Sequence, residues 1–182
     1  MKKMKIAALT SMLLASQWAA ADLSYTNFGV GYIDGDIFNA DLDGFEVRGN
    51  FALNSSFHLL GSYSALDQEP SGLDLDVLSF GAGWHTELNP NLDFVATGAV
   101  LDVDNGFISD NGIRLTGGVR GLAGEQFEFS GDIVFEDIDD FDDDIGIEVS
   151  GRFFIDRDLS IGLTKRDVNH IDTIRLDIRF DY

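Results

Sequence analysis

The chain contains no cysteine, only 2 prolines in 182 residues, and few cations, with Lys and Arg numbering 12 against 32 Asp and Glu. The first absence excludes disulfide frameworks and thiolate metal centres. The scarcity of cations leaves a formal net charge of −20, which excludes nucleic acid and anionic surfaces as partners held by bulk electrostatics. Beyond residue 21 the chain also lacks any run near the roughly 20 apolar residues of a membrane helix. It is therefore either water-soluble or crosses a membrane as strands. The 20 Gly and 15 Phe, spread through many short apolar runs, favour an all-β chain of one domain.

The first 21 residues stand apart. Lys2, Lys3 and Lys5 precede an apolar stretch from Ile6, and Ala19, Ala20 and Ala21 close it. A positive end, a short apolar middle and small residues at the end describe a signal peptide. The expected division is 1–21 cleaved leader and 22–182 barrel; cleavage removes three lysines and no acid.

The stretch TIRLDIRFDY at 173–182 shows strict alternation. Ile174, Leu176, Ile178, Phe180 and Tyr182 share one face, while Arg175, Asp177, Arg179 and Asp181 share the other. Successive side chains of a strand point oppositely, so this strand meets one oily and one charged environment. Similar alternation between Gly, Asn, Asp and Ser clusters predicts ten strands near 24–33, 44–53, 57–65, 75–88, 92–101, 112–123, 127–136, 145–154, 159–167 and 173–182. Tight turns at 54–56, 89–91, 124–126 and 155–158 alternate with longer connectors at 34–43, 66–74, 102–111, 137–144 and 168–172, which carry carboxylates and no Lys or Arg. Short turns at one rim and longer loops at the other predict an antiparallel up-and-down transmembrane β-barrel of ten strands, with eight as the alternative count.

Side-chain size orients the wall. The oily face is bulky, with Phe28, Phe45, Phe51, Phe80, Trp84, Phe127 and Phe129, whereas the other is rich in Gly and Ser. So many large rings would overfill a small interior, which argues against a lipocalin-like soluble barrel binding a ligand, the competing architecture. Seven arginines fall in the lumen phase, Arg48, Arg114, Arg120, Arg152, Arg166, Arg175 and Arg179. They are expected to pair bidentately with Glu46, Glu128, Asp132, Glu136, Glu148, Asp177 and Asp181. Tyr25, Tyr32, Tyr63, Trp84, Phe94, Phe153 and Tyr182, near strand ends, are candidates for interfacial aromatic girdles.

The segments DLSYTNFGVGYIDGD (22–36), DGFEVRGNFALNSSFHLLGSYS (43–64) and FGAGWHTELNPNLD (80–93) resemble small proteobacterial outer-membrane β-barrel proteins of the OmpA/OmpX and porin-family kind. They are especially similar to the sulfation-dependent quorum factor family. The resemblance implies an outer-membrane location, with shed vesicles as a second one, and contact with outer-membrane lipid and lipopolysaccharide. It also implies insertion by the barrel-assembly machinery, for which Ile174, Leu176, Ile178, Phe180 and the terminal Tyr182 look like the C-terminal signal. No functional residue is carried over from it.

No catalytic constellation is visible. His58 and His85 lie in the lumen phase near Glu87 and Asp93, which suits a polar mouth better than a transition-metal site. His170 falls in a connector, and no Ser has the H-x-S spacing of lipid A deacylases. Glycine runs such as GVGY and GAGW precede no helix, which rules out a phosphate loop. Asp140, Asp142 and Asp144 resemble a calcium loop only superficially, because Ile145 stands where Gly is required. A weak Ca²⁺ or Mg²⁺ site there is the single cofactor expectation. The expected function is structural or surface-interactive, without turnover, around a largely plugged lumen; a narrow cation-preferring pore is the alternative.

Overall fold

A computed structural model of the chain describes residues 23–37, 40–69, 73–106, 109–139, 143–168 and 171–182. The signal-peptide segment 1–21, His170, and the candidate ligands Asp140 and Asp142 lie outside the described residues. Ten strands follow one another: β1 (Asn27–Ile37), β2 (Ala40–Ala52), β3 (Phe57–Glu69), β4 (Leu73–Asn89), β5 (Leu92–Asp104), β6 (Ser109–Leu122), β7 (Phe127–Ile138), β8 (Asp144–Phe154), β9 (Leu159–Val168) and β10 (Ile171–Asp181). Each pairs antiparallel with its sequence neighbours, and β1 pairs with β10 from Asn27↔Asp181 to Ile37↔Ile171. The sheet therefore closes without a free edge, which satisfies every strand's backbone laterally.

Local chemistry explains the tight turns at the rim that carries both termini. Asn54 Oδ1 accepts from the backbone N–H groups of Ser56 and Phe57 at 2.9 and 3.0 Å. Asp156 Oδ1 does the same for Asp158 and Leu159, both at 2.9 Å. Such side chains hold a turn by standing in for backbone acceptors. Gly124, at φ +77°, takes a left-handed conformation that a Cβ would disfavour.

The opposite, far rim departs from expectation. The strands run two to four residues further than alternation predicted at most far ends, leaving connections of only two to five residues at both rims. The long loops expected there are largely strand. Among the described residues, all the carboxylates assigned to those loops are strand residues except Asp139 and Asp143. The physical reason is an inversion of polarity along each wall. Over the lower part, large apolar side chains point outward, Phe80 and Ile133 being 60% and 62% exposed, and polar ones point inward. Towards the far rim the same period of two continues with roles exchanged, so that Asp34, Asp43, Asp67, Asp76, Asp102 and Asp137 face outward. Their alternate neighbours Ile33, Leu42, Leu66, Val77, Leu101 and Ile138 face inward. At the change of level Tyr32 donates to Asp43 (2.7 Å) and Tyr63 to Asp76 (2.8 Å), each phenol joining the apolar belt below to the acidic collar above.

Candidate functional site in the barrel lumen

The lumen is stacked in layers. At the terminal rim the chain ahead of β1 folds back into the mouth, where Tyr25 is buried. This corrects the expectation of Tyr25 as a girdle aromatic. Its ring stacks on His85 with centroids 3.5 Å apart and 6° between planes, its hydroxyl donates to Asp93 Oδ2 at 2.7 Å, and the Arg120 guanidinium lies 4.9 Å from its centroid. Burial pushes the phenol's pKa up and the bond to Asp93 adds to this, while Arg120 opposes both; Tyr25 stays a neutral donor. His58 Nδ1 is 3.3 Å from His85 Nδ1, so one imidazole donates and the other accepts. A Cβ at Gly83 would collide with the His58 ring, which is why the ring can lie across the wall of β4. Glu87, expected beside this group, is exposed.

Above the mouth, Glu128 receives Arg179 Nη1 and Nη2 at 2.9 Å each and Arg120 Nη2 at 2.8 Å. Arg179 also reaches Asp181 (3.0 Å), and Arg120 donates to the Ser24 carbonyl (2.9 Å), pinning the chain's entry into the barrel. Asp177 takes Arg152 at 2.6 Å and Arg48 at 2.9 Å. Gly162 leaves the space that the Arg152 guanidinium fills. Higher still, Glu136 is shared by Arg114 and Arg166, and Glu46 accepts from Arg175 at 2.8 Å, with Glu148 3.9 Å from the same guanidinium. All seven arginines of the lumen phase thus meet carboxylates from other strands. Asp132 lies on the same wall but outside these ion pairs. Arg166 Nε, Arg175 Nε and Asp181 Oδ1 are buried with no hydrogen-bond partner among the described residues.

The far end of the lumen is dry in character, and nothing in the sequence reading located it. Ile33, Ile37, Leu42 and Leu66 form one inward-facing cluster against Leu75 and Ile171. Leu101, Val103 and Ile138 form a second, against Leu75 and Val77. Both line the bore above the charged layers. A cavity of about 110 Å³ lies between this aliphatic cap and the Arg114, Arg166 and Arg175 layer. Two polar cavities, of about 170 and 250 Å³, occupy the lumen below.

Outside the barrel, Ile174, Leu176, Ile178 and Phe180 project from the outer wall of β10, and Tyr182, just beyond its end, is exposed. Asp144 is the first residue of β8 and its Oδ1 accepts from the Ile145 N–H at 2.8 Å. Among the described residues no group of three or more His, Asp or Glu is arranged to hold a metal ion.

No family model matches the chain, and no curated protein matches it. The likeness to the sulfation-dependent quorum factor family therefore rests on the quoted segments alone. Solved structures do match. The KdgM porin shares 12% identity at a TM-score of 0.50, and the KdgM porin in complex with disordered oligogalacturonate shares 12% at 0.52. In both comparisons the match covers 85% of this chain and 99% of the other. The chain thus has the all-β, closed, up-and-down barrel fold seen in outer-membrane porins.

Proposed function

We propose that the protein is an outer-membrane β-barrel that is closed at rest and serves a structural or surface-interaction role without turnover chemistry. The observation that carries this reading is the inversion of polarity along the wall. A belt of exposed Phe, Leu, Ile and Val below the tyrosine–aspartate line suits lipid, since bulky apolar residues facing water in such number would aggregate. Carboxylates above that line suit water on the cell-surface side. Lipid and lipopolysaccharide would surround the belt, and the apolar face of β10 ending at Tyr182 would present the assembly machinery with its signal. The aliphatic cap closes a lumen that the cross-strand ion pairs narrow but leave wet. The oligogalacturonate carried by the KdgM porin complex is no part of this reading, because the lumen arginines here are engaged by the chain's own carboxylates.

Fractionation of cells expressing the full chain, followed by electrophoresis of the detergent extract with and without boiling, tests the location and the closed barrel. Enrichment with the outer membrane and a mobility that changes on boiling are expected. A heat-insensitive protein in the soluble periplasmic fraction would refute the reading. Planar-bilayer recording tests the closure, and silence is expected from the wild-type barrel.

A further inference from the structure

We propose that the aliphatic cap is a hydrophobic gate over an otherwise wet lumen, and that opening it lets small monovalent cations pass. The inference rests on the closed-barrel reading above and names the barrier responsible.

Three observations carry it. The polar cavities below the cap share walls: Arg48, Asn50, His58, Arg120, Glu148 and Arg175 border both, and Glu148 and Arg175 also border the cavity beneath the cap. Volumes of about 170 and 250 Å³ hold several waters at roughly 30 Å³ each. Second, Arg166 Nε and Arg175 Nε, which belong to the layer directly under the cap, have no hydrogen-bond acceptor among the described residues. Buried donors are satisfied by protein or by water, so this layer calls for water. Third, the cap offers no such partner. Leu42 and Leu101, 1% and 2% exposed, project aliphatic carbon into the bore, and on β6 and β8 the inward wall is Gly112 and Gly146, where a Cβ would meet Ile138 and Val168 of the neighbouring strands. Those glycines leave room for the neighbouring aliphatic side chains to lie over the wall. An aliphatic constriction of this kind stops ions by excluding water.

The cation preference follows from the collar. Among the described residues its outward charges are carboxylates and the single Lys165, which is paired with Asp172. The collar therefore concentrates cations at the outer mouth.

The test is single-channel recording in KCl of the full-length barrel after its folded state has been verified by heat-modifiable mobility. Leu42→Ser with Leu101→Ser wets the cap; Val77→Thr with Val103→Thr does so with little change of shape and guards against loss of folding. Val100→Thr with Leu78→Ser, on the outer wall of the same strands, is the control. Expected are a silent wild type and control, and a rise of about tenfold or more in current for either cap variant, with reversal potentials of a cation-selective path under a KCl gradient. Folded cap variants as silent as wild type would overturn the gate while leaving the closed-barrel reading in place. A freely conducting wild type would overturn that reading itself. Current in the control equal to that in the cap variants, or anion selectivity, would also overturn the proposal.

Discussion

Replacing Glu128 with Gln isolates the ion pairs of the lower lumen. Glu128 is 5% exposed and, among the described residues, is the one carboxylate ion-paired with both Arg120 and Arg179, with Arg152 3.9 Å away. The amide keeps the shape but loses the charge, and it turns an NH₂ towards guanidinium donors. Three charge-assisted bonds are weakened at once, each worth about 1.5–3 kcal/mol. Arg179 retains Asp181 and Arg120 retains the Ser24 carbonyl, so the loss falls short of that sum. Removing one partner of a buried pair costs about 3–5 kcal/mol, and the lower half of that range is expected here. Urea titration of the barrel folded into lipid vesicles, read by heat-modifiable mobility, measures it. Lys165→Gln supplies the comparison, because the Lys165–Asp172 pair is about half exposed and should contribute under about 1 kcal/mol. If Glu128→Gln cost no more than Lys165→Gln, the ion pairs of the lower lumen would not hold the barrel together.

Other consequences follow from the same geometry. Tyr25→Phe keeps the stack on His85 but leaves Asp93 without its phenol donor, and should lower stability by about 1.5–3 kcal/mol in the same titration. Ile133→Arg, within the apolar belt of β7, should cost about 2–4 kcal/mol in vesicles, whereas Asp137→Arg, four residues along the same outer face, should cost about 0–1 kcal/mol; equal costs would refute the placement of the belt. Gly118→Ala sets a Cβ against the Gly131 carbonyl and Asp132, while Gly131→Ala meets nothing within 4 Å. The first should sharply reduce the folded fraction seen by electrophoresis and the second should leave it nearly unchanged.

Strand number, hairpin order and the phase of each strand were legible because lipid and lumen impose unlike residues at period two. Phe28, Val30 and Tyr32 could not share a face with Gly29 and Gly31 in any other way. Pairing partners were not legible. Arg48 meets Asp177, and Arg175 meets Glu46, across 129 residues of sequence, a proximity created by closure of β1 on β10. Tyr25 was misplaced for a related reason: an aromatic next to a strand end suits an interface until the mouth beside it offers His85 to stack on and Asp93 to accept its hydrogen bond.

The cap was missed through a different cause, and that cause is informative. In the stretch from Ile33 to Ile37 the residues between the two isoleucines are Asp, Gly and Asp, a composition that ordinarily signals a loop. The period of two never breaks there; only its polarity reverses. A barrel wall that leaves lipid for water must put charge outside, and the interior it encloses becomes the place for aliphatic side chains, as in a soluble barrel. On the proposed membrane reading, the point of reversal on each strand marks the outer limit of the lipid. Tyr32 bonded to Asp43 and Tyr63 bonded to Asp76 mark it between β1 and β2 and between β3 and β4, consistent with the preference of phenols for such boundaries. The same reversal sets the seal: because apolar residues turn inward only above the lipid, the barrier lies in the water-exposed collar. Its opening then requires no change in the membrane-embedded wall.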